Sequence, residues 1–210
     1  EVVRQSLSTF SRGSASGPMG LRAEHLRRAL EYATAGGALA VITRLINHLK
    51  DGLMPLSLQP LFAGAGLSAL EKKGGCTPIA AGETIRRLVS KSLCAVVKPL
   101  AQEHFRGLQY GVATACGVER VVHSVRCDFA SRASQEDWVG VKVDLSNAFN
   151  MVSRARMLEL VHEHFPALFP WVQWCYAQPS NLQFGEHRLT SDEGVQQGDP
   201  LGPLLFSLVM

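Results

Sequence analysis

The sequence predicts an α+β fold, because apolar residues at helical spacing alternate with short β-branched runs and glycine-centred turns. The strongest helical signal is an apolar stripe between residues 85 and 100. Two hairpins are expected, one turning at residues 71–75 and one about Gly185. The β-branched run Val139–Val143 predicts a central strand.

The first half of the chain is predicted to be helical around one hairpin. Residues 1–20 have the composition of a loop, and Pro18 stands shortly before the first helix, as proline often does. The elements expected after that loop are helices over residues 23–32 and 39–49, strands over 61–71 and 77–80, and helices over 85–100 and 117–132.

The second half is predicted to contain short helices, a second hairpin and a loop rich in glycine and proline. Ser153 has the hydroxyl that commonly caps a helix at its first turn. The elements expected after the 139–143 strand are helices over residues 153–164 and 171–176, a hairpin over 182–191, a loop over 194–203 and a helix from 204 to 210.

The composition, 46% hydrophobic and 19% charged, is that of an ordinary globular protein. A net charge of +3 permits a nucleic-acid partner without requiring one. No apolar run reaches the roughly 18 residues of a membrane span, so no membrane partner is expected. Five cysteines without a Cys-x-x-Cys pair argue against a disulfide framework or zinc site. They favour an intracellular location, with nucleus and cytoplasm both open.

Asp144 follows directly after the predicted strand, where a rigid backbone can hold a carboxylate at the edge of a cleft. Hard oxygen ligands of this kind bind Mg²⁺, or Mn²⁺ in its place, and two such ions support nucleotidyl transfer. We therefore predict Asp144 as the catalytic metal ligand, with the Leu145 carbonyl as a second donor. An aspartate at this position also commonly serves as a turn or helix cap.

Phe149 lies five residues after Asp144, in the run Asp-Leu-Ser-Asn-Ala-Phe-Asn. A bulky ring beneath the sugar of an incoming nucleotide would exclude a 2′-hydroxyl, whereas a polar residue would accept it. The ring therefore favours deoxynucleotides if the site binds nucleotides. A lone phenylalanine is otherwise commonly a core residue.

The loop Gly-Val-Gln-Gln-Gly-Asp-Pro-Leu-Gly-Pro, residues 194–203, is the most specific feature of the chain. Gly198 allows close approach of the backbone to a base or sugar. Gln197 offers both a donor and an acceptor to a nucleotide or template strand. Asp199 is able to cap the helix that follows. We therefore predict a functional loop in which Gln197 and Gly198 are candidate contacts to a nucleotide or a template strand.

Basic residues lie mostly off the apolar stripe of the long helix and are expected to form an exposed basic face. Such a face would bind phosphates without sequence preference, although an ordinary solvated surface is the alternative. The predicted nucleic-acid contacts are Arg86, Arg87 and Lys91, with Lys98 on the same helix.

Residues 143–150 and 194–206 resemble motifs A and B of the reverse transcriptase domain of non-LTR retrotransposons. Upstream segments resemble that family's N-terminal motif, fingers hairpin with its following helix, and template-side segment, in the same order. These segments are residues 16–22, residues 72–79 with 86–91, and residues 109–119.

The resemblance implies a right-hand polymerase fold with fingers and an incomplete palm. It implies Mg²⁺-dependent addition of deoxynucleotides to a DNA primer on an RNA template. Asp144 would be the metal ligand and Phe149 the steric gate, and Lys72 or Lys73 would contact the triphosphate. The resemblance also implies domain boundaries. Residues 1–136 would form the N-terminal extension, the fingers and the start of the palm, and residues 137–152 the palm strand with motif A. Residues 153–198 would form the fingers and palm helices and the hairpin, and residues 199–210 the start of the palm helix after motif B.

The sequence departs from the family pattern in two places. Thr77 stands where the family commonly has an arginine, and threonine cannot form a bidentate phosphate contact. The aromatic-x-Asp-Asp motif is absent, so the matched carboxylate is Asp144 alone. The chain begins at Glu1 and ends at Met210 within an apolar run, which is typical of a segment cut from a longer protein. We expect this segment alone to be inactive in polymerisation.

Three functions remain open from the sequence. The first is an RNA-directed DNA polymerase segment of a retroelement, and the second is a degenerate remnant that binds nucleic acid without catalysis. The third, an RNA-templated RNA polymerase, is disfavoured by Phe149.

Overall fold

The structure is a computed structural model that describes residues 1–32, 35–72, 75–134 and 137–210, with the backbone alone for residues 35–36, 72 and 75–77. Its fold is α+β, as predicted. The α-helices are α1 (Val2–Ser8), α2 (Ala23–Tyr32), α3 (Ala35–Lys50), α4 (Gln59–Phe62), α5 (Thr84–His104), α6 (Gly117–Ser131), α7 (Arg154–His164), α8 (Phe169–Tyr176) and α9 (Gly202–Val209). Short 3-10 turns cover Leu56–Leu58 and Ala148–Met151.

The described strands form one four-stranded sheet in the order β2-β1-β3-β4. The strands are β1 (Ala65–Lys72), β2 (Gly75–Gly82), β3 (Ser180–Phe184) and β4 (His187–Ser191). The pairs β1–β2 and β3–β4 are antiparallel hairpins, and β1 joins β3 in parallel through Ala65 and Gly66. Both predicted hairpins are therefore confirmed, and they lie in the same sheet.

Helix α5 is the central helix of the fold and contacts both α1 and α3. Its predicted stripe is confirmed at Leu88, Val89, Leu93 and Val97, which are buried. The stripe is narrower than expected, because the outer members of the predicted set remain exposed. Those members are Val96 and Leu100.

The helical core forms where α7, α8 and α9 pack together, with α8 joined to α5. Trp171 is fully buried, and its indole Nε1 donates to Ser90 Oγ on α5 at 3.2 Å. Ser153 caps α7 as predicted, since its Oγ accepts from Arg156 N at 3.4 Å. This core supports the loop that precedes α9. Among the described helices, none combines the length and apolar character needed to cross a membrane.

The N-terminal loop docks on the start of α5 through its backbone. The buried Glu83 carboxylate accepts from Met19 N at 2.8 Å, and Thr84 Oγ1 donates to Leu21 O at 2.5 Å. A Cβ on Gly17 would lie 2.6 Å from Glu83 Cα, so glycine is required for this close approach. The Gly-Pro-Met-Gly sequence is thereby joined to the helix that follows the β1–β2 hairpin in the chain.

The predicted strand at Val139–Val143 is wrong. Residues 138–145 are not in a strand, and Val139, Val141 and Val143 are 81%, 82% and 75% exposed. A β-branched run becomes a strand only when a neighbour pairs with its backbone groups. Within the described parts of the chain, no strand pairs with this run.

Candidate metal and nucleotide site

Asp144 lies at the wall of an open cleft of about 670 Å³. The segment that carries it has no regular secondary structure, and Asp144 is exposed to solvent. Apolar and aromatic residues form most of the remaining wall, among them Leu145, Phe149, Phe206, Tyr110 and Val118. The carboxylate is therefore accessible to an ion or a ligand from the cleft.

The turn after Asp144 brings Phe149 into the same cleft. Asn147 has a φ of +51°, a left-handed conformation that asparagine tolerates better than most residues. It is the N-cap residue of the 3-10 turn Ala148–Met151. The Asp-Leu-Ser-Asn-Ala-Phe order thus places the predicted metal ligand and the predicted gate on one wall.

The loop before α9 is hydrogen-bonded to the end of that turn. Val195 N donates to Phe149 O at 2.8 Å, and Gly194 N donates to Val152 O at 3.0 Å. Gly194 has a φ of +67°, and the Asn150 backbone occupies the space that a Cβ at residue 194 would need. The two sequence motifs are therefore neighbours in the structure.

Gln197 and Gly198 lie at the tip of this loop, against β2. Gln197 O accepts from Ala80 N at 3.0 Å, and Ala80 O blocks the space for a Cβ on Gly198. The half-exposed Gln197 lines a second cavity, of about 330 Å³, together with Asn150. Phe149 and Asn150 are consecutive, so one turn contributes to the walls of both the Asp144 cleft and the Gln197 cavity.

The segment predicted to face the template borders the Asp144 cleft. Gln109 Oε1 accepts from Val112 N at 3.0 Å, and its Nε2 donates to Ser207 Oγ on α9. Gly117 has no room for a Cβ, because the Tyr110 carbonyl fills that space. These contacts hold the start of α6 beside the cleft wall.

A buried polar network stands behind the loop tip. The Arg86 guanidinium donates to Ala63 O, to Gln196 Oε1 and, at 3.0 Å, to Asp199 Oδ2. Tyr176 OH donates to the same Asp199 oxygen at 2.8 Å, and Asp199 Oδ1 accepts from Leu201 N at 3.0 Å. The last contact lies within the turn before α9, whose N-cap residue is Leu201, so the predicted capping role of Asp199 is not confirmed.

The charges of this network are fixed at neutral pH. Burial raises the pKa of the Cys175 thiol to about 12, and burial followed by the Asp199 charge raises the pKa of Tyr176 well above its usual value. Both groups are therefore neutral. Burial alone would lower the pKa of Arg86, but its neighbours outweigh that effect, and the pKa is raised. The charge that stabilises the guanidinium is that of Asp199.

Arg154 holds the other end of the loop. Its guanidinium donates to Gly194 O at 2.9 Å, to Ser191 O at 2.9 Å and to Glu193 O at 3.1 Å. It also lies over the Tyr176 ring, 5.3 Å from the ring centroid. Gln196, Tyr176 and Arg154 were not predicted as site residues. The signal available for Gln196 was its place inside the motif.

The predicted basic face of α5 requires correction at Arg86, which is buried in the network and not available to nucleic acid. Its spacing contained the signal, because Arg86 lies three residues before Val89 and seven before Leu93 on the buried stripe. The next basic residues contact the N-terminal segment. Arg87 donates to Ala15 O, and Lys91 Nζ donates to Thr9 Oγ1 at 3.1 Å.

The predicted triphosphate contacts lie outside the described residues. Lys73 is outside them entirely, and the side chains of Lys72 and Thr77 are as well. Among the described side chains, no group of three His, Cys, Asp or Glu residues could hold a metal ion. The donors at hand, Asp144 and the Leu145 carbonyl, fit part of a Mg²⁺ coordination sphere, since this ion commonly combines one or two carboxylates with water and phosphate oxygens.

Comparison with known proteins defines the class. The family model described as Reverse transcriptase (RNA-dependent DNA polymerase) matches residues 70–210, more than half of the chain. The chain therefore belongs to the reverse transcriptase family. The chain is 30% identical to the Retrotransposable element SLACS 132 kDa protein of Trypanosoma brucei gambiense, in an alignment that covers 99% of the chain. It spans 17% of that relative's length. The predicted resemblance to a non-LTR reverse transcriptase domain is thereby confirmed.

Proposed function

We propose that this chain supplies part of the catalytic centre of an RNA-directed DNA polymerase that copies retroelement RNA from a DNA primer. The observation that carries the proposal is the shared cleft of Asp144 and Phe149. A carboxylate and an aromatic ring on one open wall provide a metal ligand and a sugar-excluding surface. Family membership supports the same reaction.

In this proposal Asp144 and the Leu145 carbonyl bind Mg²⁺, with Mn²⁺ as a substitute. Bound metal ions would activate the primer hydroxyl and neutralise charge on the leaving pyrophosphate. Asp144 is exposed to solvent and lines the open cleft, so a metal ion can reach its carboxylate. The residues of this chain hold the metal and orient the nucleotide beside it.

Phe149 is proposed to exclude the 2′-hydroxyl of ribonucleotides, and Gln197 and Gly198 to contact the incoming nucleotide. Gln197 is suited to this role because its backbone is fixed to Ala80, while its side chain lines a cavity. Lys72 or Lys73 is proposed to contact the triphosphate. The turn at Phe149 and Asn150, which lines both the cleft and the cavity, would bring these residues to one nucleotide.

The architecture that accompanies this function is a right-hand polymerase with fingers and an incomplete palm. The β1–β2 hairpin and α5 would belong to the fingers, and residues 137–152 to the palm. The domain boundaries predicted from the sequence are kept here as part of the proposal. Residues 1–210 alone are proposed to be inactive, because Asp144 is the one catalytic carboxylate that the motifs provide.

A second candidate is a remnant that binds nucleic acid without catalysis. It is favoured by Thr77, which replaces the arginine common at this position and cannot bind a phosphate in a bidentate manner. The two candidates differ in one measurable respect. A polymerase extends a primer, whereas a remnant retains binding and yields no product.

The test is primer extension by the full-length protein, with residues 1–210 assayed in parallel. An RNA template, a DNA primer, dNTPs and Mg²⁺ are supplied, and primer-template binding is measured separately by fluorescence anisotropy. DNA synthesis by the full-length protein and none by the segment is the expected result. Binding without synthesis by folded full-length protein supports the remnant and defeats the polymerase. Extension by the segment would overturn the proposal that it is inactive.

A further inference from the structure

Phe206 of α9 lies face to face with Phe149. The ring centroids are 4.7 Å apart and the ring planes differ by 12°. Both rings are half-buried, and both line the Asp144 cleft. The contact therefore lies at the surface that a nucleotide sugar would meet.

The Phe149 ring is bounded by α9 at a second place. Gly202 is one helical turn before Phe206, on the same face, and a Cβ built there would lie 3.5 Å from Phe149 Cε1. The Phe149 backbone is fixed as well, because its carbonyl accepts from Val195 N at 2.8 Å. Backbone and ring are thus held by the loop and by the helix that follows it.

Helix α9 is itself a rigid support. Leu204, Leu205 and Leu208 are buried in the helical core, and α9 packs against α7. A flat ring stacked on a fixed flat ring has few alternative orientations, whereas a ring beside a flexible aliphatic side chain has more. The rotamer of Phe149 accordingly depends on what residue 206 presents.

We propose that Phe206 is a positioning residue for sugar selection, acting through Phe149. This rests on the proposed function, in which Phe149 excludes the 2′-hydroxyl. Phe206 need not touch the nucleotide in this role. It holds the Phe149 ring upright in the cleft, so that a ribose would collide with it and a deoxyribose would not.

A planar residue at position 206 is therefore expected to preserve discrimination, and a non-planar one to weaken it. Phe206→Leu and Phe206→Met remove the flat face while keeping an apolar side chain of similar volume. Both variants keep an apolar side chain against the core, so the fold is expected to form. Phe206→Tyr keeps the flat face. Its added hydroxyl is compatible with this position because residue 206 is only half-buried.

The measurement is kcat/KM for each dNTP and its matching rNTP, with the full-length protein on an RNA template. Phe206→Leu and Phe206→Met are expected to lower the dNTP preference by about threefold to tenfold, the range that an aromatic pair supports. Phe206→Tyr is expected to stay within about twofold of wild type, on the same scale. Phe149→Ala, which removes the gate itself, is expected to lower the preference further.

The matched control is Leu204→Ala, on the same helix but buried in the core and not part of the Asp144 cleft lining. It is expected to lower the melting temperature without changing the dNTP preference, which separates loss of stability from loss of positioning. Unchanged preference in Phe206→Leu and Phe206→Met, alongside relaxed preference in Phe149→Ala, overturns this inference alone. An unchanged preference in Phe149→Ala defeats the gate and this inference together, and absence of synthesis by wild type defeats the polymerase.

Discussion

Arg86 and Asp199 form a buried ion pair, with Nη2 3.0 Å from Oδ2 and each side chain 2% exposed. The pair joins α5 to the loop that carries Gln197, across a sequence separation of 113 residues. Tyr176 donates to the same carboxylate oxygen. The conformation of the loop therefore depends on a helix from the other half of the chain.

Removal of either member of this pair is expected to destabilise the fold strongly. Asp199→Ala leaves a buried guanidinium without its counter-ion, and Arg86→Met leaves a buried carboxylate. Each change is expected to cost about 3–5 kcal/mol, whereas the double change should cost clearly less than the sum. Urea unfolding of the four proteins measures the coupling. Additive losses would contradict a direct interaction between the two side chains.

Gly198 is expected to tolerate no side chain. Its φ of +114° is disfavoured for other residues, and Ala80 O fills the space that a Cβ would need. Gly198→Ala should cost about 1–3 kcal/mol, because backbone strain and a backbone clash act together. The matched control is Gly185→Ala in the β3–β4 turn, where φ is +56° and the space is open. An equal fall in melting temperature for both variants would show that the clash with Ala80 is absent.

Acid is expected to destabilise the contact between the ends of α5 and α7. The rings of His104 and His164 lie 4.8 Å apart, between Phe105 and Phe165, with Glu163 3.7 Å from His164. Burial and then the His164 charge lower the pKa of His104 from its usual 6.5. The unfolded chain therefore binds a proton at residue 104 more tightly than the folded chain does. The stability that neutral His104 contributes to the fold is complete above pH 6.5, and it falls as the pH drops through the lowered pKa of the folded state.

His104→Gln measures that contribution, because it removes the titrating ring. Melting temperatures taken between pH 7.5 and 5 should fall less steeply for the variant than for wild type. Parallel curves for the two proteins would exclude His104 as a source of the pH dependence.

The described cysteines should divide into two classes of reactivity. Burial raises the pKa of both Cys94 and Cys175 to about 12, whereas Cys116 and Cys127 are exposed. The thiolate is the reactive form, so the two thiols with raised pKa should resist alkylation at pH 8. Iodoacetamide treatment followed by peptide mass mapping should show rapid modification of the exposed pair and protection of Cys94 and Cys175 until urea is added. Rapid native labelling of Cys175 would contradict its burial.

Local signals in the sequence predicted much of the fold. The turn about Gly185 and the hydroxyl of Ser153 specify structure through neighbouring residues, and both the hairpin and the capped helix are present. The run Val139–Val143 was misjudged because strand formation depends on a pairing neighbour, which composition does not reveal. Its alternation of apolar residues shows only that a strand is possible.

The site shows the same division between local and long-range information. Asp144 and Phe149 were found through their motif, and the structure brings them into one cleft. Arg86 was placed on the wrong surface because its partner, Asp199, is distant in sequence. A basic residue on a helix is usually solvated, and Arg86 can be buried only because the Asp199 carboxylate compensates its charge.

The most direct test of the central claim is the effect of Asp144→Asn on Mg²⁺-dependent primer extension by the full-length protein. The matched control is Asp128→Asn, an exposed carboxylate on α6 that lines neither the Asp144 cleft nor the Gln197 cavity. The account predicts a loss of about 100-fold or more for Asp144→Asn, with primer-template binding intact and the control active. Wild-type rates of extension by folded Asp144→Asn protein would contradict it.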